Sequence, residues 1–151
     1  MEIPRGIVGR VSSESHSNHG FGALLPTEEG NDYLLVQGDR GAELDNPDDI
    51  PGSLNQVVST RLKWVSKEPA VCLKEEVTET MLGDLMARRI FVKYKCLESG
   101  HVFIQDRIIA ICEGGALVEV SLYATEQSYE QSRPILEMVA QSWKLERKKC
   151  K

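Results

Sequence analysis

The chain has 151 residues, 41% of them hydrophobic and 27% charged, with a net charge of −5. This composition fits one globular domain able to bury its own core and excludes long-range disorder. The acidic balance argues against nucleic-acid binding, which shows a basic excess, and no apolar run approaches the roughly 20 residues that span a bilayer.

The start, Met1-Glu2-Ile3-Pro4-Arg5-Gly6, lacks the basic and apolar regions of a secretory signal. The expected location is therefore cytoplasmic, unless a targeting segment preceded Ile3. Ile7–Val11 reads as a short strand. Ser12–Gly20 reads as a polar loop, and Phe21–Leu25 as a second short strand ended by Pro26. After a turn over 28–32, Tyr33–Gln37 is apolar enough to predict a strand buried on both faces. Gly38–Gly52 is a loop rich in Gly, Asp, Asn and Pro.

The first helix is expected to start at Ser53, with Gln56 in capping-box position. Its apolar face would be Leu54, Val57, Val58, Leu62 and Val65, and Pro69 would stop it. The period then changes to two. Val71, Leu73 and Val77 alternate with Cys72, Lys74, Glu76 and Thr78, predicting a strand with one wet face.

Three further strands follow, Ala87–Leu97, Val102–Cys112 and Leu117–Ala124, with turns at Glu98-Ser99-Gly100 and Glu113-Gly114-Gly115. In the first of these, Ile90, Val92, Tyr94 and Cys96 point one way, and Arg89, Phe91, Lys93 and Lys95 the other. Connections this short force antiparallel neighbours. A closing helix capped by Ser128 or Ser132 would place Pro134 in its first turn and carry a stripe of Ile135, Leu136, Val139 and Trp143. The end of the chain, 146–151, is basic and reads as a solvated tail. The expectation is thus a single α+β domain over 1–151.

None of the four cysteines, Cys72, Cys96, Cys112 and Cys150, forms a CxxC motif. Three lie in strand-like runs, which predicts buried thiols in a reducing compartment. His16 and His19 form an H-x-x-H pair, but in a Ser-rich loop and without the H-E-x-x-H glutamate. There is no G-x-S-x-G elbow, and Gly38-Asp39-Arg40-Gly41 reads as a turn rather than a phosphate loop. No catalytic residue, metal ligand or cofactor is assigned.

Asp106-Arg107 interrupts an apolar strand. It reads as an edge device against aggregation or as a partner contact, while Arg88-Arg89 would pair across strands with acidic groups. Trp64 and Tyr129 are expected at layer boundaries. The candidate partner-binding residues are therefore Arg89, Phe91, Asp106, Arg107, Trp64 and Tyr129.

The order of a strand, a capped helix, an antiparallel meander and a closing helix resembles the Mog/PsbP-like family. The likeness lies mostly in the end of the chain: Leu122-Tyr123-Ala124, then Ser128-Tyr129-Glu130, then Ile135 to Trp143. It covers Tyr33–Leu145, and Met1–Pro26 does not match. The resemblance implies an α/β/α sandwich around an antiparallel sheet and a non-enzymatic role in binding other proteins, as in photosystem accessory subunits, a Ran-binding factor, DcrB-type envelope proteins and Eag chaperones.

The leading expectation is a protein-interaction module such as a secretion-effector chaperone, adaptor or immunity-type protein, which allows a homodimer. The alternatives are a carrier with a ligand in a sheet–helix cavity, and a metal-dependent hydrolase built on Glu14, His16 and His19. Because the closing helix uses its apolar stripe on the core, a partner should meet the opposite sheet face, the Gly38–Gly52 loop or the N-terminal segment.

Overall fold

The computed structural model describes residues 8–12, 18–27, 30–39, 44–46, 48–65, 70–112 and 115–143. The expected tail, Cys150, Glu14 and His16 lie outside these residues. Among the described residues, seven strands and two helices follow in the order β1 (Val8–Ser12), β2 (Asn18–Thr27), β3 (Gly30–Asp39), α1 (Ile50–Val65), β4 (Ala70–Leu82), β5 (Leu85–Cys96), β6 (Val102–Ile111), β7 (Leu117–Thr125) and α2 (Tyr129–Ser142). The strands form one antiparallel sheet in the order β1-β2-β3-β7-β6-β5-β4. β4 to β7 form the expected meander, and β3 joins it beside β7.

Strand alternation sends two sets of side chains to two helices. On β6, Ile104, Ile108 and Ala110 join Leu136, Val139 and Ala140 of α2 in one core. Ile109 and Ile111 point the other way, into a second core with Leu54, Val57 and Val58 of α1. The helices therefore cover opposite faces of the sheet. Each large side chain buried this way contributes roughly 1.5–3 kcal/mol, so both cores are needed to hold a sheet this wide.

The helix starts show how local chemistry competes. α1 begins at Ile50, not after Ser53. Asp49 Oδ1 accepts the Gly52 amide at 3.1 Å, and Pro51 fits the first turn, where its missing N–H costs no helical bond. The Ser53 hydroxyl instead donates to the Asn46 carbonyl at 2.8 Å, and Gln56 Oε1 accepts the Asp45 amide. α2 has Ser128 at its N-cap, but that hydroxyl donates to Asp32 rather than capping a helix amide. Pro134 sits in the sixth position of α2, past the first turn, so the helix forgoes one internal hydrogen bond.

Four other expectations change. β3 is buried on one face only: Leu34 and Val36 are buried while Tyr33 and Gln37 are exposed, because α1 packs chiefly on β5 and β6 and leaves the β3 side of its face bare. β4 has no buried apolar face; Val71, Leu73 and Val77 are all exposed at the sheet edge, and a register shift between Cys72 and Lys74 separates Val71 from Val77. β2 begins at Asn18, so His19 belongs to a strand rather than a loop. Of the strand cysteines, Cys112 is buried, but Cys72 is exposed and Cys96 half-buried.

Candidate functional site

The α2 side of the sheet carries a buried ionic knot. Asp106, on β6, has no solvent exposure. Its carboxylate accepts Arg89 Nε at 2.8 Å and Nη2 at 2.7 Å from neighbouring β5, and the Tyr129 hydroxyl at 2.6 Å from the start of α2. A bidentate guanidinium pair is the strong form of a charge-assisted bond, and three donors offset the desolvation that burial imposes. The hydrogen bonds and charge of Asp106 outweigh burial and hold the Arg89 guanidinium protonated well beyond its usual range. Burial, then the bond to Asp106, pushes the Tyr129 phenol above its ordinary value.

Arg89 Nη1 also reaches Glu137 of α2 at 3.5 Å, and Glu137 meets Arg133 at 3.4 Å. The Phe91 ring packs edge-on against Tyr129 at 5.5 Å, with Lys74 Nζ over its outer face at 5.7 Å. Between these groups and β4 lies an open pocket of about 440 Å³, lined in part by Lys74, Glu76, Phe91 and Arg133. A second buried carboxylate, Asp32, accepts the hydroxyls of Ser128 at 2.7 Å and Ser132 at 2.5 Å, tying β3 to the first turn of α2.

The opposite face differs in character. Glu119 of β7 is buried, paired with Arg61 of α1 at 3.2 Å and with Arg107 of β6 at 3.5 Å, and it accepts the Ser121 hydroxyl at 3.0 Å. Arg107 Nε lies close enough to Glu119 for an ion pair but is not aligned for a hydrogen bond. Arg107 Nη2 donates to the Tyr123 hydroxyl at 3.2 Å, and the guanidinium lies over the same ring at 5.7 Å. The side chain is thereby laid flat on the sheet.

Tyr123 in turn faces Tyr33 of β3, directly opposite in register, with ring centroids 6.2 Å apart. The Tyr33 ring lies over Gly22 of β2, where an added Cβ would stand 2.2 Å from its hydroxyl. Leu24 (44% exposed) and Tyr33 (39%) are the exposed members of a patch whose other residues, Leu35, Tyr123 and Arg107, are half-buried.

The structure thus divides the six candidates from the sequence. Arg89, Phe91, Asp106 and Tyr129 meet on the α2 side, and Arg107 lies on the α1 side. Trp64 lies in the last turn of α1, with its side chain outside the described residues. Reading Asp106-Arg107 as an edge device fails, because β6 is an interior strand whose two charges point to opposite faces. Asp106 touches no solvent, so a partner meets it only through Arg89 and Tyr129. The cross-strand pairing expected of Arg88 is present, with Glu79 at 3.8 Å. Glu119, Tyr33, Tyr123 and Asp32 were not singled out from sequence. The strongest available signal was the polar set Glu119, Ser121 and Tyr123 alternating with Val118, Val120 and Leu122. Among the described residues no group of three or more His, Cys, Asp or Glu could hold a metal ion, and no helix is long and apolar enough to cross a membrane.

No family model matches the chain, and no curated protein matches it. Solved structures share its fold, among them the following two. PA94 from Pseudomonas aeruginosa, of unknown function and described as a candidate regulator, superposes with a TM-score of 0.60 at 14% identity, covering 97% of this chain and 90% of that one. LpqN of Mycobacterium tuberculosis, involved in cell envelope biogenesis, superposes with a TM-score of 0.58 at 8% identity, covering 91% and 90%. At these identities the likeness is one of fold.

Proposed function

We propose that this chain is a non-enzymatic protein-interaction module of the Mog/PsbP-like kind, of the chaperone, adaptor or immunity type, acting in the cytoplasm. The observation that carries this reading is the open patch on the α1 face. Its two tyrosines and its arginine are among the residue types that dominate interface energetics, and the two leucines add apolar area around them. The arginine is already oriented by Glu119 and Tyr123, so little side-chain freedom is lost on docking. Interior strands hold the patch at fixed spacing, and the buried ion pairs beneath it serve rigidity. The exposed Cys72 and half-buried Cys96 thiols support a reducing compartment. Both lie on the meander strands.

A photo-crosslinking residue in place of Tyr33, expressed in the native host, tests the reading. It is expected to give one discrete protein adduct, whereas the same residue in place of Met138, exposed on α2, gives none. No adduct from position 33, or the same adducts from both positions, contradicts it.

A further inference from the structure

A second surface lies at the far edge of the sheet. β4 is 13 residues long and terminates the strand order, so among the described residues nothing pairs with its outer edge. An unpaired edge offers a ladder of backbone donors and acceptors, and here it is both long and exposed: Val71, Leu73, Val77 and Met81 of β4 are all more than two-fifths exposed. On the α1 face, β4 presents Glu75, Val77, Glu79 and Met81 in turn, acidic alternating with apolar. Glu75 makes no ion pair among the described residues, and Glu79, loosely held by Arg88, is 87% exposed at its side chain. On the other face, Lys74, Glu76 and Thr78 form the β4 wall of the pocket beside α2.

We propose that β4 is a strand-addition site for an extended basic segment of a partner protein. The segment pairs with the free edge, placing basic and apolar side chains in alternation against Glu75, Val77, Glu79 and Met81. Its intervening side chains enter the pocket under Arg133. Charge selects this occupant. The strand carries Glu75, Glu76 and Glu79 against a single cation, Lys74, so a second copy of β4 brings carboxylates to carboxylates: centring an antiparallel pair on Val77 sets Glu75 opposite Glu79 twice. Like charges directly opposite are unfavourable, and opposite ones favourable. Strand addition supplies affinity through the backbone and selectivity through alternate side chains. The site is separate from the Tyr33 patch and stands without it.

The test is an NMR titration of the ¹⁵N-labelled chain with a nine-residue synthetic peptide alternating lysine, threonine, valine and threonine. Shifts are expected at the amides of 74–80 and not at β2 or β3. The same peptide with glutamate for lysine should leave them unmoved. Glu75→Lys is expected to weaken the basic peptide by about threefold, a change of the size one cross-strand charge pair gives. Tyr33→Ser should leave it unchanged, which separates this site from the patch. Equal binding of both peptides, or shifts absent from β4, overturns the proposal. So does β4 protection in the free chain that is lost on removing 144–151, because the chain's own basic tail would then hold the edge. A dimer that the peptide dissociates overturns it in favour of a second copy.

Discussion

Tyr129, the first residue of α2, donates its hydroxyl to Asp106 in the interior strand β6 at 2.6 Å, so the closing helix is anchored to the middle of the sheet through a fully buried charge. Arg89 takes both oxygens of the same carboxylate. Three elements therefore depend on one anion, and removing different members of the knot should cost different amounts.

Asp106→Ala leaves Arg89 partly buried without its main partner, and breaking a buried pair this way costs about 3–5 kcal/mol. Tyr129→Phe removes a single bond to a charge, worth about 1.5–3 kcal/mol. Urea unfolding at neutral pH should show both losses in that order. A Tyr129→Phe variant as stable as the wild type would mean that the knot does not hold the helix.

The same bond predicts an alkaline limit to stability. The folded chain holds the Tyr129 phenol above its ordinary value, with burial the main cause. The unfolded phenol ionises near pH 10. A group whose folded value is raised contributes its stability below the unfolded value and loses it as pH rises further. Unfolding free energy should thus fall more steeply above about pH 10 in the wild type than in Tyr129→Phe. Parallel slopes would contradict the buried bond.

Two glycines allow a controlled comparison. Gly83 and Gly100 both have left-handed φ, at 59° and 72°. A Cβ on Gly100 meets nothing, but one on Gly83 would stand 2.3 Å from the Trp143 carbonyl oxygen, where the β4–β5 turn meets the end of α2. The Gly83 amide also donates to Ala140 at 2.7 Å. Gly100→Ala should cost about 1–2 kcal/mol for backbone strain alone. Gly83→Ala should cost clearly more, since backbone rather than a flexible side chain must give way. Equal losses in thermal unfolding would contradict the contact.

Thiol reactivity should also be unequal. Hydrogen bonds from Ser99, backbone first and then side chain, lower the Cys96 thiol from its ordinary value, and the thiolate is the reactive form. Cys96 should label with a disulfide reagent faster than Cys112, which is buried, and Ser99→Ala should slow Cys96 alone. Labelling of Cys112 at the same rate without denaturant would contradict the burial.

The meander was legible because its turns are short and its alternation regular: Ile90, Val92 and Tyr94 share one face and Arg89 and Phe91 the other, as read. The α1 start was misread because Pro51-Gly52 resembles a breaker, although proline is tolerated in a first turn. β3 was misread because Tyr33-Leu34-Leu35-Val36 is continuously apolar, and no local pattern states how much of a face a helix will cover. The charged residues of the site were visible as interruptions of β5 and β6. Their partners were not, since Arg89, Asp106 and Tyr129 meet only once three elements pack. Tyr33 becomes conspicuous only through its register with Tyr123 and the glycine beneath its ring.

On the proposed function, the Leu24–Tyr33 patch binds a protein. The direct test is the affinity of the partner identified by crosslinking at position 33, measured calorimetrically against the wild type and a Leu24→Asp/Tyr33→Ser double variant. Loss of an interface anchor costs about 2 kcal/mol or more, so at least tenfold weaker binding is expected from a double variant that still unfolds cooperatively above the assay temperature. Unchanged affinity in a folded double variant would contradict the account.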